Sequence, residues 1–211
     1  NLGQTGQNPS VGSIVVKNDT VISSGVTSIN GRPHAEYNAL KKVKNVTGAT
    51  LYTSLEPCIH QGKTPPCTNI IIKKKIKNVY FGLEDPDLRT FKKAKKILSR
   101  KGINTKLIRS KKYDNFYRSY IINKKSKIPF ISAKIAISKD YFTINKKERW
   151  ITNVFSRKIT HLVRSKHDGI ISTSKSINLD NALLNCRIDG LNKNKPDLFI
   201  IDLNLKLKKN L

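Results

Sequence analysis

Four residues early in the chain have the types and spacing needed for hydrolytic chemistry. His34 precedes Glu36 by two positions, and Cys58 and Cys67 each follow a proline. One imidazole and two thiolates form a three-ligand zinc set that leaves the fourth tetrahedral position to water. Zinc lowers the pKa of such a water, and a nearby carboxylate can carry its proton to a leaving amine. The sequence therefore predicts a catalytic Zn²⁺ site at His34, Cys58 and Cys67, with Glu36 as the proton carrier. This is the ligand pattern of zinc-dependent nucleobase deaminases.

These residues lie at junctions between predicted strands and helices. Predicted strands cover 11–16, 21–24, 49–55, 79–82 and 103–108, and predicted helices cover 33–44, 66–71, 90–101 and 116–122. Pro33 and Pro66 open two of the helices, which places His34 and Cys67 at helix N termini. Backbone N–H groups and the helix dipole stabilise thiolates there. The alternation predicts an α/β sheet with helices on both faces.

A polar, charged stretch at 123–127 precedes Pro129 and is typical of a linker. Beyond it, strands are predicted at 130–137, 169–172 and 198–201, and a helix at 152–165. The sequence therefore predicts two domains, 1–124 and 128–211. The second has too few strands to close a typical sheet.

The chain has a net charge of +27, but this charge does not by itself identify a function. The chain has 32 Lys but 9 Arg, together with 20 Asn and 26 Ile. Lys, Asn and Ile share AT-rich codons, and nucleic-acid readers rely on Arg. We therefore expect no nucleic-acid partner. Three cysteines argue against a disulfide scaffold and for a reducing, cytoplasmic compartment. No apolar run is long enough for a membrane span.

Two other functions remain open on the residues alone. A tRNA-type nucleic-acid deaminase would suit the charge, but such enzymes generally carry P-C-x-x-C, whereas eight residues separate the two cysteines here. A structural zinc module with a basic surface would normally need a fourth protein ligand, which Cys186 or His60 would have to supply.

Three stretches of the first half closely resemble the bifunctional deaminase/reductase of riboflavin biosynthesis: N-P-S-V-G (8–12), P-H-A-E (33–36) and L-E-P-C-I-H-Q-G-K-T-P-P-C-T (55–68). The resemblance implies a cytidine-deaminase-like three-layer α/β/α domain followed by a partial dihydrofolate-reductase-like α/β domain. It implies removal of the 2-amino group of 2,5-diamino-6-(5-phosphoribosylamino)pyrimidin-4-one, a small phosphorylated pyrimidine, and a possible homo-oligomer. Asn8, His60, Lys63 and Thr64 are then expected to line the substrate pocket.

The second half is similar to the same family at K-I-A-I-S-K-D (134–140), W-I-T (150–152) and H-L-V-R (161–164). The resemblance implies NADPH-dependent reduction of the ribose. The implied cofactor contacts are Ala136, Trp150, Ser176 and Asp180, and the implied substrate contacts are Arg164, Leu184 and Arg187. Cys186 has no motif partner and is expected to be a buried small residue.

The chain departs from the family pattern at several places. The first family helix is missing, Thr27 stands where a substrate-facing histidine is common, and residues 88–94 replace a glycine-rich loop. In the second half, Tyr141 replaces the family's glycine after Asp140, Glu148 replaces a polar contact residue and Asn181 replaces an acidic residue. The family's later cofactor loop is also absent, so a 211-residue protein would lack reductase activity, whereas a longer parent would be bifunctional.

Overall fold

The computed structural model describes residues 1–143, 150–191 and 195–208. The chain divides into two compact units. The first consists of Asn1 and Thr5–Ile131, and the second of Leu2–Gln4 and the chain from Ser132 onward. None of the helices in the described ranges has the length and apolar character that a membrane span requires.

The first unit is built on one five-stranded sheet with the order β2-β1-β3-β4-β5. Its strands are β1 (Gly12–Lys17), β2 (Thr20–Val26), β3 (Thr50–Thr53), β4 (Asn78–Phe81) and β5 (Asn104–Leu107). β1 is antiparallel to β2 and β3, and β3, β4 and β5 run parallel. The β1–β2 hairpin turns at Asn18 and Asp19, whose φ values of 50° and 56° suit a type I′ turn.

Five α-helices accompany this sheet: α1 (Ala35–Lys41), α2 (Cys67–Lys73), α3 (Lys93–Ser99), α4 (Lys111–Phe116) and α5 (Arg118–Ser126). One face of the sheet forms the main core, in which Val15, Leu51 and Val79 lie in register and are fully buried with Ile71 and Leu98. The residues between them in the strands, such as Ile14, Tyr52 and Tyr80, project from the opposite face, as the twofold side-chain period of a strand requires.

Gly25 explains how α1 approaches the sheet. A Cβ at this position would lie 2.4 Å from the carbonyl oxygen of Ala35 and from the amide nitrogen of Ala39. The absence of a side chain therefore lets the first turns of α1 pack directly on β2. This contact places the N terminus of α1, and with it His34, at a defined position beside the sheet.

The helical region before residue 130 differs from the sequence prediction. Instead of one helix over 116–122, α4 and α5 follow one another, and α5 continues to Ser126 through most of the predicted linker. Tyr113 of α4 and Tyr117, its C-cap, pack with Val11 and Leu55 in a second apolar cluster. Burial of these aromatic rings stabilises the helical region at this place.

The second unit contains α6 (Val154–Arg164), β6 (Gly169–Thr173), α7 (Ser174–Asp180) and β7 (Asp197–Ile201). β6 and β7 pair in parallel. Both strands and α6 confirm sequence predictions, whereas the strand predicted at 130–137 is absent: these residues lack sheet pairing, and a strand is stable only with a hydrogen-bonded neighbour. α7 was not predicted; its N-cap is Thr173, whose side chain accepts from the Ser176 amide.

Candidate active site

The three predicted zinc ligands converge on one point of the first unit. His34 is the N-cap of α1, and Cys67 is the first residue of α2. Cys58 lies in the loop that connects the end of β3 to α2. The backbone amide of Cys67 donates to the Cys58 sulfur over 3.3 Å, so the start of α2 holds Cys58 beside Cys67.

The donor atoms have the spacing of a metal site. His34 Nδ1 lies 3.3 Å from Cys67 Sγ and 3.5 Å from Cys58 Sγ. Tetrahedral zinc with ordinary Zn–N and Zn–S bonds requires N···S separations of roughly 3.6 Å. Among the residues that the structure describes, His34, Cys58 and Cys67 form a group whose ligand atoms all lie within 4.8 Å of one another. The residues present therefore fit Zn²⁺ bound through one nitrogen and two sulfurs.

The charge state of the two cysteines suits a metal. Hydrogen bonding from Cys67 and from His34 lowers the pKa of Cys58 to about 4, so its sulfur is a thiolate at neutral pH. The same contact and burial raise the pKa of Cys67, because its proton is held between the two sulfurs. The hydrogen bond to the Cys58 thiolate raises the pKa of His34. Metal binding requires deprotonated cysteines and a neutral histidine, so a divalent cation would bind these three side chains in competition with protons.

Glu36 lies beside this group and is not part of it. The first turn of α1 buries the residue to 4% exposure. Burial raises the pKa of its carboxyl to about 7, and a hydrogen bond from Cys67 opposes that rise. A carboxyl whose pKa lies close to neutral can both accept and release a proton, which is the property that general acid–base catalysis needs.

The residues expected to line the substrate pocket have the following places. Asn8 donates from Nδ2 to the carbonyl oxygen of Gly31 over 3.2 Å. His60 is half-buried with Nδ1 3.3 Å from Thr90 Oγ1, and burial lowers its pKa. Lys63 is exposed and Thr64 half-buried, both on the loop between the two cysteines. Their roles in substrate binding stay predictions.

Thr27 stands where a histidine is common in the family, and its side chain forms hydrogen bonds with backbone groups. Its side chain is 1% exposed, and its Oγ1 accepts from the Val11 amide and donates to the Pro9 carbonyl oxygen over 2.9 and 3.2 Å. The threonine thus ties the segment before β1 to the end of β2. This arrangement keeps Asn8, three residues before Val11, beside the 3₁₀ turn at Ile29–Gly31.

Sequence reasoning missed a buried carboxylate that organises the loop after β4. Glu56, which is 2% exposed, accepts backbone hydrogen bonds from Asp85, Lys92 and Ala94 over 3.0–3.1 Å. The loop so held presents Thr90 to His60. Only the position of Glu56 directly before Pro57 and Cys58 could have drawn attention to it.

Sequence reasoning also missed Arg32. Its guanidinium donates from Nη1 to Thr64 Oγ1, so it reaches the loop that carries Lys63 and Thr64. Its place next to Pro33 and His34 was the available signal.

In the second unit, the predicted substrate residues Arg164 and Arg187 lie around one backbone segment. Arg164 donates to the Asn185 carbonyl oxygen over 3.3 Å and Arg187 to Asn185 Oδ1 over 3.4 Å. Leu184 beside them has a φ of 48°. Burial lowers the pKa of Arg164. Cys186 is 2% exposed, which confirms that it is a buried residue.

The predicted cofactor residues make contacts of their own in this unit. The ring of Trp150 lies 4.6 Å from the Arg157 guanidinium, Ser176 takes part in the cap of α7, and Ala136 is half-buried. Asp180 is exposed at the end of α7. These contacts do not outline a dinucleotide site, so the cofactor roles stay predictions.

The substituted positions of the second unit have local explanations. Tyr141 has a φ of 69°, in the left-handed region that favours the glycine of the family pattern, and Asn181 caps α7 at a φ of 46°. Glu148 lies outside the described residues.

Comparison with known proteins agrees with the geometry. Residues 1–83 match the family described as the cytidine and deoxycytidylate deaminase zinc-binding region. The fold of the first unit and its His–Cys–Cys group are therefore those of a cytidine-deaminase-like domain.

Other known proteins are similar to nearly the whole chain. The chain is 37% identical over 198 residues to riboflavin biosynthesis protein RibD of Buchnera aphidicola, covering 92% of this chain and 53% of that protein. It is 33% identical over 194 residues to RibD of Haemophilus influenzae, covering 90% and 52%. The crystal structure of a diaminohydroxyphosphoribosylaminopyrimidine deaminase/5-amino-6-(5-phosphoribosylamino)uracil reductase from Thermotoga maritima superposes with a TM-score of 0.89 at 31% identity, covering 100% of this chain and 61% of that one.

Over the part that it spans, the chain is similar to RibD proteins. It spans about half the length of the curated relatives that it matches. The predicted α/β class with a cytidine-deaminase-like domain is thereby confirmed.

Proposed function

We propose that the first unit catalyses zinc-dependent hydrolytic deamination of 2,5-diamino-6-(5-phosphoribosylamino)pyrimidin-4-one, an early step in riboflavin synthesis. One observation carries this proposal: His34, Cys58 and Cys67 offer one nitrogen and two sulfurs at zinc-binding distances, with the buried carboxyl of Glu36 beside them. The names of the RibD relatives support the choice of pathway and substrate.

His34, Cys58 and Cys67 would hold the metal. When bound, Zn²⁺ would act as a Lewis acid that lowers the pKa of a coordinated water and so supplies a nucleophile for the ring carbon that carries the amine. Glu36 accepts the proton of the attacking water on its carboxylate and donates it to the departing amine, so that the carbon gains oxygen and ammonia leaves. Its raised pKa of about 7 suits both halves of this cycle at neutral pH.

The substrate residues have roles that fit their places. Asn8, held at the 3₁₀ turn, offers an amide to the pyrimidine edge, and His60 offers a ring nitrogen from the loop between the cysteines. Lys63, which is exposed on the same loop, supplies a positive charge for the phosphate. Each role is part of the proposal.

A structural zinc module has less support. It would normally need a fourth protein ligand, and among the described residues neither His60 nor Cys186 belongs to the group of ligand atoms. A nucleic-acid deaminase has less support because the extensive relatives are RibD proteins, although the net charge of +27 would suit it.

The test is ammonia release from the diaminopyrimidine ribotide by the zinc-loaded chain, with Glu36→Gln as its partner. The variant keeps the volume of the side chain but cannot carry a proton. We expect release by the parent, a loss of at least about 10³-fold in Glu36→Gln, and one zinc per chain in both. A zinc-loaded, folded parent that releases no ammonia would overturn the proposed substrate, and an active Glu36→Gln would overturn the proposed mechanism.

For the second unit, we propose NADPH binding near Trp150, supported by the likeness of the chain to the Thermotoga maritima deaminase/reductase. Because Trp150 is the chain's one tryptophan, its fluorescence reports on this unit alone. NADPH should quench it in a saturable manner, and unchanged fluorescence up to millimolar NADPH would overturn the assignment. A cytoplasmic location and a homo-oligomeric state stay predictions.

A further inference from the structure

Arg32 occupies an unusual position at the candidate active site. It lies two residues before His34, yet its side chain reaches across to the loop between the two cysteines, 32 residues further along the chain, where it donates to Thr64 Oγ1. It also lies against Gly62, because a Cβ added there would be 2.9 Å from Arg32 Nη2. The guanidinium therefore touches the residues on both sides of Lys63.

The charge of Arg32 has no acidic partner in the described part of the chain. The ion pairs found there join Arg89 and Lys124 to Asp87 and Arg109 to Glu84. Arg32 is half-buried, so its charge is only partly solvated. A partly buried guanidinium without a counter-ion is unfavourable, and an anion that approaches it gains the full benefit of pairing.

The hydrogen-bond donors and positive charges around Arg32 favour one kind of ligand. Arg32 uses one nitrogen to donate to Thr64. Because a guanidinium carries five N–H groups, further donors remain available. Lys63 adds a second positive charge on the adjacent loop. Arg32 lies two residues before the metal ligand His34, and its contact with Thr64 places it against the loop that also carries His60 and Lys63. A fork of N–H donors beside an ammonium group matches a phosphate.

We infer that Arg32 is a specificity-determining residue that binds the substrate's phosphate together with Lys63. This inference rests on the proposed function and adds to it the group that selects the phosphorylated substrate. Gly62 contributes by leaving room for the guanidinium, and Thr64 fixes its orientation.

The experiment compares two substrates, the diaminopyrimidine ribotide and the same compound without its phosphate. Arg32→Met removes the charge and keeps most of the side-chain length. We expect KM for the ribotide to rise about tenfold or more, KM for the dephosphorylated compound to change less than about twofold, and kcat to change little. Arg32→Lys keeps the charge without the fork and should recover part of the loss.

Arg100→Met is the matched control, because Arg100 is an exposed arginine at the end of α3 and its removal changes the net charge equally. It should leave both KM values unchanged. Isothermal titration calorimetry with the deaminated product, with and without phosphate, gives the same comparison without turnover. If Arg32→Met does not fold or loses zinc, Arg32→Lys carries the test alone, with a rise of about threefold confined to the phosphorylated compounds.

The outcomes separate the two proposals. An inactive zinc-loaded parent would overturn the proposed function itself. An active parent whose Arg32→Met variant shows equal losses on both substrates would show that Arg32 only supports the loop, and unchanged KM values would show no role at all. Either of these last results would overturn the inference about Arg32 and leave the deaminase proposal standing.

Discussion

Asp85, in the loop after β4, should weaken the first unit at neutral pH, and removing its charge should strengthen it. The side chain is buried, and this burial raises the pKa of Asp85 to about 6. Its Oδ1 accepts from the hydroxyl of Tyr120 over 3.0 Å and from the backbone amide of Asp87 over 2.9 Å. In Asp85→Asn the amide oxygen can keep both hydrogen bonds while the charge disappears.

The magnitude follows from linkage. The pKa is raised by about two units above the usual Asp value of about 3.9, so the folded state binds the proton more tightly than the unfolded chain does. The associated stability is fully present below pH 4, is lost between pH 4 and 6, and stays lost above pH 6. At about 1.4 kcal/mol per unit, ionisation costs about 3 kcal/mol. Because the unfolded carboxyl is already half ionised at pH 4, the substitution should be about 2 kcal/mol more favourable at pH 8 than at pH 4. The new amide N–H₂ subtracts about 1 kcal/mol at both pH values if it finds no acceptor.

The assay is hydrogen exchange of the β3 and β4 amides, which reports the free energy of opening of the first unit in the intact chain. Asp87→Asn is the control, because Asp87 pairs with Arg89 and Lys124 and these cations lower its pKa. Its substitution should cost a little stability at pH 8 and none at low pH. The measured quantity is the difference in opening free energy between Asp85→Asn and the parent. The reasoning is refuted if this difference is the same at pH 4 and pH 8, or if it disfavours the variant at pH 8.

Three further changes should alter stability in defined ways. Leu51→Ala opens a cavity in the fully buried core and should cost about 2–5 kcal/mol in urea unfolding; a cost below about 1 kcal/mol would contradict the packing. Tyr117→Phe removes a hydroxyl that lies 2.6 Å from Ser54 Oγ and should cost about 1–2 kcal/mol in the same assay, whereas a neutral result would argue against that bond. Glu56→Gln replaces one acceptor oxygen by a donor and should speed hydrogen exchange over residues 85–94 by tenfold or more; unchanged exchange would show that Glu56 does not hold the loop.

The convergence of His34, Cys58 and Cys67 could be predicted from the sequence because each of these residues is marked locally. Pro33 and Pro66 signal helix starts, and those starts place His34 and Cys67 at helix N termini in the structure. The strand before Cys58 is equally recognisable from its apolar pattern. Local sequence signals were therefore enough to predict that His34 and Cys67, which are 33 positions apart, lie together.

Other features depend on contacts that no local pattern encodes. Glu56 binds backbone amides 29–38 residues away, and Thr90 meets His60 across 30 residues. Arg32 looks like a solvated residue until its contact with Thr64 is known. Such partners are chosen by the way the loops pack on the finished sheet.

The errors in the second half have the same origin. The apolar pattern at 130–137 suits a strand, but a strand needs a neighbour to satisfy its backbone, and these residues form no sheet pairing. The segment at 123–126 is polar enough for a linker but continues α5, because Lys and Asn are tolerated on an exposed helix face.

The central claim is that three protein ligands hold one zinc and leave a position for water. X-ray absorption at the zinc edge of the metal-loaded chain tests it directly. We predict two sulfur ligands at about 2.3 Å and two nitrogen or oxygen ligands at about 2.0–2.1 Å, one from His34 and one from solvent. Cys58→Ser should reduce the sulfur count to one. A spectrum with three or four sulfurs, or a folded chain that binds no zinc, would contradict the account.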